Sequence, residues 1–204
     1  MQRFLKAGTL FVLLVLCVSS AEPQGYTFPN QKIDFPADLK FSTAHQNCQN
    51  WAFAAGLEMM LKRHNIPLDQ TYWVQRLNGG DSCQDRLPTI ERLKEVMNKE
   101  FALDDGRHVR LEAQFVTGAP VNIDVVIVGM QQQELSLFLW RGHPYYMTGV
   151  TYDTFVRNDG VRQFAVREIR LADTFEKQPA TTFRRGRDDV NEIAGILSVL
   201  VMER

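Results

Sequence analysis

Charge of one sign, cysteine, nucleotide-binding loops and long apolar runs beyond the N-terminus are all scarce in this 204-residue sequence. Each scarcity excludes a class of protein. A net charge of −1 offers no phosphate-binding surface, so no nucleic-acid partner is expected. Four His without paired spacing exclude a zinc site, and no glycine loop is placed to cradle a phosphate, so no cofactor is expected. No Ser occupies a Gly-x-Ser-x-Gly elbow, which removes the hydrolases built on that turn. No internal repeat points to a solenoid. The chain is nevertheless rich enough for a packed domain. Hydrophobic residues make up 45% of it and charged residues 23%, which excludes a disordered tail or a low-complexity linker.

The one long apolar run is at the start. Arg3 and Lys6 precede Leu10 to Val18, and Ser19-Ser20-Ala21 follow. A basic start, a short apolar middle and small residues at the end read as a secretory signal peptide over 1–21, cleaved after Ala21. The run is short for a bilayer span, and Leu16 before Cys17 does not fit a lipoprotein signal. Arg3 and Lys6 leave with the signal and no acid does, so the net charge falls from −1 to −3. The mature chain is expected to be exported, secreted or periplasmic, with no stable membrane span. Cys48 and Cys83 remain after cleavage, and a pair in an oxidising compartment is expected to form a disulfide.

Residues 22–43 carry Pro23, Pro29 and Pro36 with no helical period, and read as an extended lead-in lying over the domain. Three helices are expected next. The first covers Ala52 to Arg63, with Ala55, Leu57, Met59, Met60 and Leu61 largely buried. The second covers Asp69 to Leu77 and is stopped by Asn78-Gly79-Gly80; the third covers Thr89 to Lys99, with Thr89 as its cap. Val109, Leu111, Ala113 and Phe115 alternate with polar neighbours as a half-buried strand. The β-branched run Val121 to Val128 reads as another strand, and Gln131 to Trp140 as a short helix. Tyr145 to Val156 and Gln163 to Leu171 flank the turn Arg157-Asn158-Asp159-Gly160 and read as a hairpin. Ile193 to Met202 fits a strand or a helix. Helices first and an antiparallel sheet afterwards give an α+β class.

The first helix opens with Gln46-Asn47-Cys48-Gln49-Asn50-Trp51-Ala52-Phe53-Ala54-Ala55. This resembles the active-site segment of papain-like cysteine peptidases, in particular compact bacterial ones such as the staphopains. Those carry an Asn-Trp-Cys or Gly-Trp-Cys step into a helix, with a Gln six positions before the Cys. Gln46 stands six before position 52, Asn50-Trp51 precede it, and the residue at 52 is Ala. In that family the helix terminus favours a thiolate, and the Gln amide donates to the oxyanion formed on attack. A second register aligns Trp51-Ala52-Phe53 with the residues that follow the nucleophile in papain; it puts Asn50 at the nucleophile position and also supplies no Cys. Gly142-His143, before Tyr145-Tyr146-Met147, resembles the family's Gly-His step into a strand. Asp173 resembles its third member, the residue that orients the imidazole.

The resemblance spans about Gln46 to Asp173. It implies a papain-like domain over 44–204, an N-terminal helical half packed against a C-terminal antiparallel β-sheet half. It implies a site built from Gln46, the incompetent Ala52, His143 and Asp173, with Asn50, Trp51 and Gly142 lining the cleft. A methyl group cannot attack a carbonyl, so the expected function is a non-catalytic pseudopeptidase that binds a peptide or protein ligand in the cleft. Two alternatives stand beside it. One is an active cysteine peptidase using Cys48; the other is an exported interaction protein unrelated to peptidases. Among the remaining His, His45 adjoins Gln46, His64 closes a helix and His108 opens a strand. The Arg184-Arg185-Gly186-Arg187 run beside Asp188-Asp189 reads as a solvated loop.

Overall fold

The computed structural model describes residues 25–36, 47–48, 50–80, 83, 87–119, 123–174 and 180–203. The expected signal peptide at 1–21, and His45 and Gln46, lie outside the described residues. Among the described residues, four α-helices and eight strands form an α+β fold in which every named strand pairing is antiparallel.

Helix α1, Ala52–Lys62, is buried along all its residues from Ala52 to Leu61, as its nearly continuous apolar sequence requires. The one acid inside it, Glu58, is met by Gln70 Nε2 at 2.9 Å and Lys62 Nζ at 2.7 Å. Helix α2, Gln70–Asn78, begins where Asp69 accepts the Tyr72 N–H and ends at Gly79, whose φ of 77° is the left-handed conformation glycine tolerates. Helix α3, Ile90–Met97, begins where Thr89 accepts the Arg92 N–H at 3.2 Å. Leu93, Val96 and Met97 are its buried residues.

The strands are β1 Tyr26–Asp34, β2 Glu100–Ala102, β3 His108–Thr117, β4 Ser136–Trp140, β5 His143–Val156, β6 Arg162–Asp173, β7 Thr181–Arg184 and β8 Ile193–Glu203. They lie in the order β2-β3-β8-β4-β5-β6-β7, and β1 pairs with β5. The expected hairpin is β5–β6, its turn closed by the Arg157 N–H on Val161 O at 2.9 Å. Ile193 to Met202 resolves as a strand.

Two expectations are overturned. The strand expected over Val121 to Val128 is replaced in its described part: Ile123 caps helix α4, Asp124–Gln131, and the residues after it are helical. The reason is topological. With β8 antiparallel to both neighbours, β3 and β4 run parallel, and parallel strands need a crossover connection, here a helix. Nor is Gln131 to Trp140 helical; it contains β4, all five of whose residues are buried. A strand covered on both faces loses the alternation that would identify it.

The long strand β5 organises the sheet. Its first residues pair with β4 and its later ones with β1, while β6 runs along the other edge. Within the expected lead-in, therefore, Tyr26–Asp34 is a strand of the sheet. Arg170 fastens it there. Its Nε reaches Asp34 Oδ1 at 2.5 Å, its Nη1 reaches Thr151 Oγ1 at 2.8 Å, and its Nη2 reaches the Ile33 and Val150 carbonyls at 3.0 Å. The guanidinium crosses β5 at Gly149, where a Cβ would lie against both Arg170 and Asp34.

Helix α1 rests on the sheet through Tyr146, whose hydroxyl donates to the Ala55 carbonyl at 3.0 Å. Gly56 lies so close to β4 that an added Cβ would stand 2.7 Å from a Leu137 methyl. On the other face Phe138, Trp140 and Phe183 pack ring to ring, with centroids 5.6–6.4 Å apart. The Arg184–Asp188 stretch forms a tight exposed turn, with Arg184 N–H donating to Asp188 Oδ2 at 2.7 Å.

Candidate functional site

The entry to α1 is held from several sides. Asn47 N–H donates to Gln70 Oε1, and the Trp51 N–H to the Cys48 carbonyl, both at 2.9 Å. Asn50 Nδ2 donates to the Cys83 carbonyl at 2.9 Å. Cys48 and Cys83 form a disulfide with Cα atoms 5.9 Å apart. Trp51 occupies the cap position and makes no side-chain capping bond, and Ala52 opens the helix in a buried position. The expected residues Asn50, Trp51 and Ala52 are thus together, beside a disulfide that consumes the Cys48 thiol.

The second group is built by the β4–β5 hairpin. Its two-residue turn, Arg141-Gly142, has φ values of 54° and 70°, the mirror-image turn that matches strand twist and favours glycine. The turn pairs Trp140 with His143, and β5–β6 registry sets Tyr145 opposite Asp173. His143 Nε2 lies 3.1 Å from Asp173 Oδ1, and the Tyr145 ring stands edge-on to the imidazole at 4.7 Å. An ionised carboxylate only accepts, so the imidazole turns an N–H toward Asp173 from Nε2. The Asp173 side chain is 11% exposed and that of His143 34%, so the pair is anchored inside and open at the imidazole. Burial raises the Tyr145 pKa, and the Asp173 charge adds to the rise; Tyr146 is pushed further up by burial, then by the charges of Glu58 and Asp173.

Strand alternation sorts these groups onto two faces. Directly paired residues of antiparallel strands share a face, so His143, Tyr145 and Asp173 lie on the side of Phe138 and Trp140. Tyr146 and Leu137, on which α1 rests, lie on the other. The structure therefore brings His143 to Asp173, with Gly142 in the adjoining turn, and brings α1 to β5 through residues of opposite parity.

Sequence reading missed Tyr145 and Trp140 as members of the His143 group. The period of two from His143 was the available signal for Tyr145. Trp140 requires knowledge of the hairpin, since the sequence predicts a helix at its place. Two other His among the described residues contact carboxylates: His64 Nε2 lies 3.0 Å from Glu134 Oε2, and His108 Nδ1 3.2 Å from Glu100 Oε1. Among the described residues no group of three or more His, Cys, Asp or Glu is placed to hold a metal ion, and no helix is long and apolar enough to cross a membrane.

No family model, curated protein or solved structure matches the chain.

Proposed function

We propose that this is an exported, non-catalytic relative of papain-like cysteine peptidases that binds a peptide or protein ligand near His143 and Asp173. One observation carries the reading: the helix position where the family places its sulfur holds Ala52, and the nearby Cys48 thiol is bonded to Cys83. The retained His143–Asp173 pair supports the family resemblance. The disulfide fits an oxidising compartment. Binding without turnover is what remains when an orienting acid and an imidazole are kept and the nucleophile is lost.

The test follows His143 in the mature protein by nuclear magnetic resonance while a mixture of extended peptides is added. Selective shifts of the His143 ring signals are expected, with every peptide recovered uncut. Cleavage that a thiol-alkylating inhibitor abolishes would overturn the reading.

The opposite parity of His143 and the α1-facing Tyr146 favours a second reading, an exported interaction protein in which His143–Asp173 merely closes the sheet end. Ala52→Cys separates the two. Thiol-dependent hydrolysis in that variant excludes the second reading, because only an aligned imidazole would activate the new sulfur. His143 signals indifferent to every peptide, with no hydrolysis by the variant, exclude the first.

A further inference from the structure

Helix α4 is apolar nearly all round, in the sequence Asp124-Val125-Val126-Ile127-Val128-Gly129-Met130-Gln131. Val126, Ile127 and Met130 are buried, whereas Val125 is 59% exposed and Val128 46%. A helix of that composition is normally covered on more than one side. The uncovered side of α4 lines a groove of about 360 Å³ against the sheet, where β8 contributes Leu200, itself 45% exposed. Mostly apolar clefts of this size with a few polar groups are the usual form of small-ligand sites.

The polar groups of the groove specify the ligand. The Ser136 and Ser198 hydroxyls bond each other at 2.8 Å, so that pair is already satisfied. The ionisable side chains lining the groove are Asp124 and Glu134, and neither Lys nor Arg lines it. A hydrogen bond from His64 holds the Glu134 pKa low, and His64 and Arg63, which add to that effect, are not among the lining residues. Beyond the lining, β3 places Glu112 opposite Leu200 and Arg110 opposite Met202 on that sheet face, a pair of opposite charge that leaves Asp124 and Glu134 to set the sign of the groove. An apolar groove bordered by carboxylates repels a fatty acid and attracts an amine.

We propose that this groove binds a small amphiphilic cation, its hydrocarbon body against Val125, Val128 and Leu200 and its protonated amine at the Glu134 end. The groove adjoins Ser136 at one end of β4, whereas His143 pairs with Trp140 at the other. The proposal is therefore independent of any role for the His143–Asp173 pair.

The mature protein is titrated with octylamine, sodium octanoate and octanol, by calorimetry and by methyl resonances of Val125, Val128 and Leu200. Octylammonium is expected to bind with one-to-one stoichiometry, to shift those methyls, and to bind roughly tenfold more tightly than octanoate, as one charge-assisted hydrogen bond allows. Glu134→Gln is expected to remove most of that preference while leaving octanol unchanged. Val128→Arg, at an exposed position that leaves the fold intact by thermal unfolding, is expected to abolish binding of all three. Octanoate binding as tightly as octylammonium, methyls that do not shift, or undiminished binding by the Val128→Arg protein would each overturn the proposal. So would a shift from dimer to monomer in that variant, which would assign the groove to a second copy of the chain.

Discussion

Gly149 and Gly195 are both crowded, but by different neighbours. A Cβ at Gly149 meets the tips of the Asp34 and Arg170 side chains, which can swing aside at the expense of their mutual contact. At Gly195 it meets the Val116 carbonyl and lies 2.7 Å from the Phe115 ring, across a strand pairing in the middle of the sheet. Backbone cannot step aside as a side-chain tip can. Gly195→Ala is accordingly expected to lose about 1–3 kcal/mol of stability, and Gly149→Ala less. Equilibrium denaturant unfolding of the two variants checks the order, and equal losses would show that the Arg170 bridge is as unyielding as the sheet. The same scale shows what one residue can disclose in a sequence. The family resemblance names His143 and Asp173, and the hairpin, which brings the start of one strand to the end of its partner, sets them 3.1 Å apart. Asp153 and Arg167 were not found, because their pairing depends on the irregular β5–β6 register, which skips a residue near Thr151.

Among the elements, β1 is the one held least by burial. Tyr26 and Phe28 are 74% and 51% exposed, so polar bonds fasten the strand. Asp153 is central to them: one carboxylate oxygen accepts the Asn30 N–H at 2.9 Å, and the other accepts Arg167 Nε at 2.7 Å. The Arg167 hydrogen bond is the main cause that lowers the Asp153 pKa below its usual 3.8, with the Asn30 N–H contributing. Because the folded value is the lower one, this stabilisation is complete above pH 3.8 and fades as pH falls through the lowered value. Asp153→Asn is expected to cost about 1–3 kcal/mol at neutral pH and progressively less on acidification. Hydrogen exchange of β1 amides across that range would register it, and a cost that is constant down to acid pH would contradict it.

The legibility of elements followed their caps and their exposure. The first three helices were readable from Asp69, Gly79, Thr89 and their apolar spacing. Strand β3 was readable because one of its faces is polar. Helix α4 and strand β4 were exchanged for one another because both are continuous apolar runs. Their identity is set by which strands β8 separates, and that is information carried some sixty residues away in the chain, as in the Ser136–Ser198 contact with its separation of 62.

At the scale of the molecule, the disulfide joins the approach to α1 with the segment between α2 and α3, closing a separation of 35 residues. Such a loop is expected to contribute about 3–4 kcal/mol by restricting the unfolded chain. Alkylation of the denatured, unreduced protein should therefore add no mass at Cys48 or Cys83. The Cys48→Ser, Cys83→Ser double variant should unfold at correspondingly lower denaturant. Mass added at both positions would remove the staple and return Cys48 to consideration as a nucleophile.

Strand β8 begins at Ile193, yet it lies between β3 and β4 in the interior of the sheet. A chain still emerging from a ribosome or a translocation pore has β3, β4 and β5 available long before the strand that joins the first to the other two. The sheet is then two unconnected pieces with open edges, β2–β3 on one side and β1 with β4–β5–β6–β7 on the other, and each can pair within itself before β8 appears. Completion of the sheet waits for β8, which follows β4 by some fifty residues. Late insertion of a central strand is also the moment of greatest exposure to wrong edge pairing, and a holding chaperone acting on the nascent chain would matter most in that interval.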